Sequence, residues 1–270
     1  MIFTQAHSPA ALCAPSRYGI MTGNSCYRSR APWGVWGSYE ESPIKDGDLT
    51  LGRLMKMAGY QTAFFGKWHL GNAPEHLPDA RGYDEAHVYA GGGFHTPRFL
   101  PEYHAPEDKR LSDILTDMGT DFMKENKNEP FFLFISHYDV HVQLDADREL
   151  VEKYLNKEKQ PDYSCNAVYA AMIEHVDRSV GGLMKAIEEM DLADRTVLIF
   201  YSDNGGVDNR FDHIPLLAEA SRDVYPEGHP LQYIATTNAP LRAGKGTLYE
   251  GGVRVPLIVR WPGKVKAAST

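Results

Sequence analysis

The 270-residue chain has few cysteines, no excess of positive charge and no long apolar run. Its three cysteines, Cys13, Cys26 and Cys165, form no CxxC pair and no even-numbered framework, so they indicate neither a zinc module nor a disulfide scaffold. The net charge of −8 argues against a protein that binds nucleic acid by neutralising phosphates. No apolar run approaches the ~20 residues of a membrane span. The N-terminal sequence lacks the basic start and long apolar centre of a signal peptide.

Predicted helices and apolar strands alternate along the chain, whose 43% hydrophobic and 24% charged content is ordinary for a globular domain. Residues 13–23 favour a short helix, because Pro15 suits its first turn and Gly23 the position just past its end. Asp48 is predicted to cap the next helix, LTLGRLMKMAG. Further helices are predicted at 109–126 and 163–190, apolar strands at 60–65, 130–136, 195–202 and 255–261, and irregular loops at 24–47, 71–108 and 207–239.

This alternation predicts an α/β fold with a mostly parallel sheet flanked by helices on both faces. In such sheets, ligands bind beyond the carboxyl ends of the strands. Polar motifs follow three of the predicted strands: GKWH follows YQTAFF, SHYDVH follows FFLFI, and SDNGG follows VLIFY. The Lys, His, Asp and Asn side chains at these strand ends therefore predict one convergent site.

Two of these motifs contain candidate metal ligands. Asp203 and Asn204 offer the carboxylate and amide oxygens that suit a hard cation such as Ca²⁺ or Mg²⁺. Asp-Asn-Gly-Gly is equally good turn chemistry, so a plain turn remains an alternative. In SHYDVH, His137, Asp139 and His141 occupy alternate positions but lack a further ligand at a diagnostic spacing. On the residues alone, both motifs are open to either interpretation.

Two lysines and a histidine are candidates for binding an anion. In GKWHLG, Lys67 and His69 point to the same side of an extended segment, which suits an anionic substrate oxygen. Lys245 lies between glycines in RAGKGTLYEGG, where the backbone can approach a ligand closely. A solvated lysine and a structural histidine are the alternative interpretations. His175, beside a core-facing valine on the longest predicted helix, is interpreted as structural.

Cys13 begins the predicted helix in the stretch CAPSR. A thiolate at a helix N-terminus is favoured by the macrodipole, and Arg17, one turn later on the same face, adds positive charge. The motif contains no adjacent base, which a thiol protease would need. The residues therefore indicate a nucleophile site without its base.

Four blocks occur in a recognisable order: CAPSR with MTG downstream, GYQTAFFGKWHLG, SDNGG, and PLRAGKGTLYEGGVRVPLIVRWPG. In these blocks the chain resembles the type I, formylglycine-dependent sulfatases of the alkaline-phosphatase-like superfamily. CAPSR matches the Cys-x-Pro-x-Arg signature of that family, and the resemblance covers nearly the whole chain. It implies an alkaline-phosphatase-like α/β core in which residues 1–270 belong to one sulfatase catalytic domain.

The resemblance also implies a mechanism. Cys13 would be oxidised after translation to formylglycine, whose hydrate would attack the sulfur of a sulfate ester, release the alcohol and then expel sulfate. Arg17 would hold the diol, and His69 would orient it or accept its proton. The remaining implied roles are calcium binding (Ca²⁺, with Mg²⁺ in its place as an alternative) by Asp203 and Asn204, sulfate binding by Lys67 and Lys245, and binding or protonation of the leaving oxygen by His141.

Departures from the family pattern lead to further expectations. Gln143 occupies the position two residues after His141, where the family usually has proline. The adjacent Asp-Asp pair of the family's first strand and the subdomain after the WPG block have no counterpart here. We therefore expect a partial sulfatase domain with half of its carboxylate metal shell. For the 270 residues alone, we expect weak calcium binding and little activity.

Three other functions remain as alternatives. They are a phosphate or phosphonate monoester hydrolase on the same scaffold, an inactive sulfatase fragment that only binds ligand, and a hydrolase that uses an unmodified Cys13 thiol. The expected partners are a small-molecule or carbohydrate sulfate ester and the formylglycine-generating enzyme acting on CAPSR, with no nucleic acid and no membrane span. The resemblance suggests a periplasmic, secreted or lysosomal location.

Overall fold

A computed structural model describes residues 1–29, 42–160, 163, 166–208 and 214–270. The predicted loops at 24–47 and 207–239 therefore lie partly outside the described residues. Cys165 also lies outside them. The helices are α1 (Cys13–Thr22), α2 (Leu51–Met57), α3 (Leu111–Glu125), α4 (Arg148–Asn156), α5 (Ala167–Glu189) and α6 (Glu250–Val253). The strands are β1 (Ile2–Phe3), β2 (Gln61–Gly66), β3 (Glu85–Tyr89), β4 (Phe99–Leu100), β5 (Phe131–Ser136), β6 (Leu198–Tyr201) and β7 (Leu257–Arg260).

The described strands form two sheets. In the four-stranded sheet, with the order β4-β3-β2-β5, strand β2 pairs in parallel with both β3 and β5. The three-stranded sheet has the order β1-β7-β6, and both of its pairings are antiparallel. The α/β class is confirmed, but the sheets are mixed rather than mostly parallel. A continuous apolar run indicates a buried strand but not the direction of that strand. A parallel pairing of β6 with β7 would need a long crossover connection, usually a helix, but the α-helix between them is only the short α6.

Helices cover both faces of the four-stranded sheet, as predicted. Along β2, Ala63 and Phe65 face one hydrophobic cluster and Phe64 faces another, because successive side chains of a strand point to opposite faces. Helices α3 and α5 supply the first cluster, and α1 supplies part of the second. The first cluster includes Leu111, Ile114, Leu115, Val168 and Met172, and the second includes Tyr18, Met21, Ile44, Trp68 and Tyr83.

The helix boundaries show where local sequence signals are reliable. Helix α1 ends at Gly23, whose φ of 66° is in the left-handed region and whose N–H donates to Gly19 O at 2.9 Å. The cap predicted for α2 was wrong. Thr50, not Asp48, accepts the hydrogen bond from the Arg53 amide, while the Asp48 carboxylate accepts one from Lys45 N.

Strand β3 and helix α4 are among the elements that arise where no regular structure was predicted. Strand β3 lies inside the predicted loop at 71–108, where only Ala86 and Val88 are buried and polar residues alternate with them. Helix α4 lies in a polar stretch and buries only Leu150 and Val151. Short elements with two buried side chains carry too little apolar pattern to be recognised. In the described residues, no helix is long and apolar enough to cross a membrane.

Candidate active site

The N-terminus of α1 and the segments that follow β2, β5 and β6 meet at one point, where Arg17 connects them. Its Nη1 donates to Lys67 O at 2.6 Å and to Ser136 Oγ at 2.5 Å. Its Nη2 lies 2.9 Å from Asp203 Oδ2, and its Nε donates to the same oxygen at 3.1 Å. One guanidinium therefore joins three strand ends to the helix that begins with Cys13.

Cys13 is the first residue of α1 and is 5% exposed, with its thiol free of any disulfide. Just before it, Ala11 O accepts a hydrogen bond from Gly246 N at 2.9 Å. This bond brings the glycine-rich segment that contains Lys245 beside the start of α1. Cys13 is also close enough to Lys67 that a thiolate there would raise the pKa of the lysine.

Glycine at position 66 permits the close approach of the ends of β2 and β5. A Cβ atom there would lie 2.1 Å from Ser136 O, and the φ of Gly66 is 110°. The next residue, Lys67, donates its N–H to that same oxygen at 2.8 Å. The Ser136 hydroxyl is hydrogen-bonded to both Arg17 and Lys67 O, with the latter at 2.7 Å. These hydrogen bonds therefore hold the ends of β2 and β5 together at the site.

A second set of glycines allows the turn after β6 to pack against the Lys245 segment. A Cβ on Gly205 would lie 1.8 Å from Gly251 O, and one on Gly251 would lie 1.8 Å from Ala243 O. Lys245 N donates to Gly206 O at 2.9 Å. The motifs SDNGG and GKGTLYEGG thus share one interface, and their glycines are required by backbone contact rather than by turn geometry alone.

Burial and neighbouring cations lower the pKa values of Lys67 and His69. Burial, together with Arg17 and Lys245, lowers the pKa of Lys67 to about 8. Burial, Lys67 and Arg17 lower the pKa of His69 to about 4. His69 also has a φ of 62°, a left-handed conformation that is uncommon outside glycine and that concentrates at functional sites.

His141 lies close to Lys67 and Lys245. Burial, Lys67 and Lys245 lower its pKa to about 3, so the ring is neutral at pH 7. Its Nδ1 lies 2.7 Å from Val142 O, and because a carbonyl only accepts, the proton is on Nδ1. Nε2 is then an acceptor, 3.4 Å from Lys245 Nζ. The Tyr138 ring stacks on His141 with centroids 4.8 Å apart and lies 5.1 Å from Lys67 Nζ.

Asp203 and Asn204 provide oxygen atoms that fit a hard cation. Burial alone would raise the pKa of Asp203, but Arg17, Lys67 and Lys245 outweigh it and hold the carboxyl below its usual pKa. Asn204 Oδ1 is buried and accepts no hydrogen bond from the described residues. An ionised carboxylate beside an unsatisfied amide oxygen has the donor chemistry that Ca²⁺ and Mg²⁺ prefer.

The structure thus brings together the eight residues singled out in the sequence. They are Cys13, Arg17, Lys67, His69, His141, Asp203, Asn204 and Lys245. Ser136 and Tyr138 were missed, although both lie in the motif that contains His141, Ser136 as the last residue of β5 and Tyr138 just after it. A serine and a tyrosine carry no distinctive signal, and only their contacts with Arg17, Lys67 and His141 reveal them.

The other histidines and carboxylate of the same region point elsewhere. His137 is partly buried and its Nε2 lies 3.3 Å from Ser179 Oγ on α5, while Asp139 pairs with Arg110. His175 is 2% exposed and its Nε2 lies 3.5 Å from Asp147 N, in keeping with a structural role. Over the described ranges, no group of three or more His, Cys, Asp and Glu side chains has the geometry of a metal site.

Comparisons with known proteins match nearly the whole chain. The family model described as Sulfatase matches residues 1–270. The N-acetylgalactosamine-6-O-sulfatase of Bacteroides thetaiotaomicron is 26% identical over 337 residues, covering 98% of this chain and 61% of its own length. The N-acetylgalactosamine-6-sulfatase of Homo sapiens is 27% identical over 302 residues, covering 99% and 51%.

A solved structure agrees with these matches. Ps i-CgsB, crystallised in complex with k-i-k-neocarrahexaose, superposes with a TM-score of 0.78 at 27% identity. The match covers 98% of this chain and 59% of that one. The chain therefore spans about half to three-fifths of the length of the relatives it matches.

Proposed function

The chain belongs to the sulfatase family, and from this premise we propose that the protein hydrolyses a sulfate monoester at the site around Cys13. The observation that carries the proposal is the convergence of three cationic side chains, Arg17, Lys67 and Lys245, on a residue at the first turn of a helix. Cations held in advance in a partly buried site stabilise the negative charge that develops on ester oxygens during cleavage.

Cys13 is the residue we assign to the nucleophile, after its conversion to formylglycine. When formed, that group supplies an oxygen nucleophile in place of the thiol. Arg17 is held by Ser136 and Asp203 on the turn after Cys13, where it orients the group and screens its charge. Lys67 is charged at neutral pH and binds a sulfate oxygen. The absence of a base from the CAPSR motif itself is then expected, because the thiol is only a precursor.

His69 and Lys245 are the residues we assign to proton transfer. His69 is neutral at pH 7 and accepts a proton from the nucleophile. Lys245 donates a proton to the oxygen of the departing alcohol, and His141, whose Nε2 accepts from Lys245 Nζ, holds the ammonium beside that oxygen. Without Lys245, that oxygen would depart as an unprotonated alkoxide.

Asp203 and Asn204 would hold the divalent cation, Ca²⁺ or Mg²⁺, which supplies positive charge to the sulfate oxygens when bound. The ionised carboxylate and the unsatisfied amide oxygen support this assignment. Arg17 competes for the same carboxylate, so the cation and the guanidinium share Asp203.

A carbohydrate sulfate ester is the proposed substrate class, and the formylglycine-generating enzyme the proposed partner for Cys13. Both curated relatives described above are named as N-acetylgalactosamine-6-sulfatases, which supports a sugar. The neighbouring solved structure was obtained with k-i-k-neocarrahexaose, which supports the same class.

The test is the turnover of an aryl sulfate and the matching aryl phosphonate by a preparation whose Cys13 peptide carries the aldehyde by mass spectrometry. We expect faster turnover of the sulfate and loss of turnover in Cys13→Ala. A preference for the phosphonate would replace the proposal with a phosphonate hydrolase. An intact thiol in an active preparation would replace it with a cysteine-dependent hydrolase.

A further inference from the structure

The segment from His137 to Asp147 carries a buried ion pair that the proposed reaction does not use. Arg110 Nη2 lies 2.8 Å from Asp139 Oδ1, and the side chains are 2% and 0% exposed. Asp139 comes two residues before His141 in the sequence. We propose that the Arg110–Asp139 pair is a positioning device that holds this segment so that Tyr138 and His141 reach Lys67 and Lys245. The inference rests on the proposed function for its catalytic meaning.

Arg110 binds the segment at two residues, Asp139 and Asp145. Besides pairing with Asp139, its Nη2 donates to Asp145 O at 2.8 Å, beyond His141 in the chain. Its guanidinium lies 4.4 Å from the centre of the Phe94 ring, and its Nη1 lies 3.4 Å from His95 Nε2. Arg110 itself caps the start of α3, an element packed in the main core. The Arg110 side chain thus binds the segment at Asp139 and at Asp145, before and after His141 in the chain.

The connection from the ion pair to the site is short. Tyr138, adjacent to Asp139, stacks on the His141 ring and lies beneath Lys67 Nζ. Its other neighbours, Tyr89 and Phe94, have ring centroids 4.8 and 5.5 Å away. A shift of the segment would therefore move Tyr138 and His141 together, away from the two lysines.

Stability alone does not account for this pair. Asp139 Oδ2 and Arg110 Nε are buried without a hydrogen-bond partner among the described residues, so the desolvation of both charges is only partly offset. Replacement of a buried ion pair by apolar residues of similar volume is often neutral or stabilising, whereas removal of one partner is costly. An ion pair gives what apolar packing does not, namely a fixed direction and register for the segment that carries it.

This difference defines the experiment. Arg110→Met and Asp139→Asn each leave one buried charge without its ionic partner, and the double variant Arg110→Met with Asp139→Leu removes both charges. We expect each single variant to lower the thermal unfolding midpoint and to lower kcat for an aryl sulfate by about 10²-fold, the cost of a misplacement near 1 Å. We expect the double variant to regain the unfolding midpoint but not kcat.

Arg81→Met is the matched control. Arg81 is also 2% exposed at its side chain, but its partners are Asp46 and Ile44 O, near the start of α2. This variant is expected to lower the unfolding midpoint and, below that midpoint, to leave kcat unchanged. This control distinguishes a fall in kcat caused by lower stability from one caused by displacement of Tyr138 and His141.

A second readout does not depend on turnover. The imidazole NMR signals of His141, identified by their loss in His141→Gln, are expected to shift in the double variant and to stay unchanged in Arg81→Met. If the wild-type protein has no sulfatase activity, these signals still decide whether the pair positions His141. Recovery of kcat together with stability in the double variant, or unshifted His141 signals, would overturn the proposal.

Discussion

At the scale of single residues, the surroundings of Lys67 favour the loss of its proton. Burial, together with Arg17 and Lys245, lowers its pKa to about 8. Burial and the neighbouring lysines also lower the pKa values of His69 and His141, so both rings are neutral at pH 7. The free site is therefore strongly electropositive while its two candidate proton carriers are uncharged, which suits an anionic ligand.

Sulfate binding is expected to weaken as the pH rises through about 8. Lys67 carries its proton below that pH and loses it above, whereas inorganic sulfate stays a dianion throughout. The measurement is calorimetric titration with sulfate from about pH 7 to about pH 9.5, in a Cys13→Ala background so that no thiol titrates beside the lysine.

The control for this prediction is Lys67→Met in the same background. A side chain of similar length without the ammonium should bind sulfate weakly at every pH, with no step near 8. If the Cys13→Ala protein binds sulfate with the same affinity at every pH of the titration, the charge of Lys67 does not contribute to sulfate binding.

At the scale of secondary-structure elements, long apolar patterns predicted structure well. Helices α3 and α5 and strands β2 and β5 lie where spacing and continuous apolar runs placed them. Strand β3 and helix α4 were missed because each buries only two side chains. The antiparallel pairing of β6 with β7 was also missed, because direction is set by the path of the connection and not by the strand's own residues.

Helix α1 has a consequence for the modification of Cys13. With the thiol 5% exposed at the first helical position, a modifying enzyme has little access to it in the folded chain. We expect the formylglycine-generating enzyme to convert a peptide of residues 8–23 and the denatured chain, but not the folded protein. Mass spectrometry of the Cys13 peptide detects the conversion as a change in mass, because the residue loses one sulfur and two hydrogen atoms and gains one oxygen atom.

The same peptide with Arg17 replaced by alanine serves as the control for recognition of the motif. Equal conversion of folded and denatured protein would show that α1 opens readily, and that burial of the thiol is no barrier to the enzyme.

At the scale of the whole molecule, the site exists only because distant segments converge. Arg17 and Asp203 are 186 residues apart in the chain and 2.9 Å apart in space. Two glycine-lined interfaces make this possible, one at Gly66 and one between the turn after β6 and the Lys245 segment. The candidate cation site offers few oxygen donors in the described residues, namely Asp203, already paired with Arg17, and one oxygen of Asn204 that accepts no hydrogen bond.

Calcium binding by the 270-residue chain is therefore expected to be weak, with a Kd of about 10⁻³ M or higher. Two oxygen donors fall short of the about six to eight that Ca²⁺ takes, and three nearby cations oppose it. Arg17→Met should tighten binding, because it frees Asp203 Oδ2 and removes one of those cations. Calorimetric titration with Ca²⁺ and, in parallel, Mg²⁺ measures both effects.

Asp203→Asn is the matched control for the calcium titration, since it keeps the size of the side chain and removes its charge. It should abolish the remaining affinity. Tight calcium binding by the parent chain, or affinity unaffected by Asp203→Asn, would show that other residues hold the cation.

The candidate residues and the elements that carry them can be identified from sequence patterns alone. Cys13 at a helix start, and the polar motifs at the ends of apolar strands, are set by local preferences that act over a few neighbouring residues. The surroundings of those residues, in contrast, depend on the folded chain. The pairing of Arg110 with Asp139, the hydroxyl of Ser136 under Arg17, and the low pKa values of Lys67, His69 and His141 depend on burial and on charges far apart in the chain. Such effects follow distance in space, which local sequence patterns do not contain.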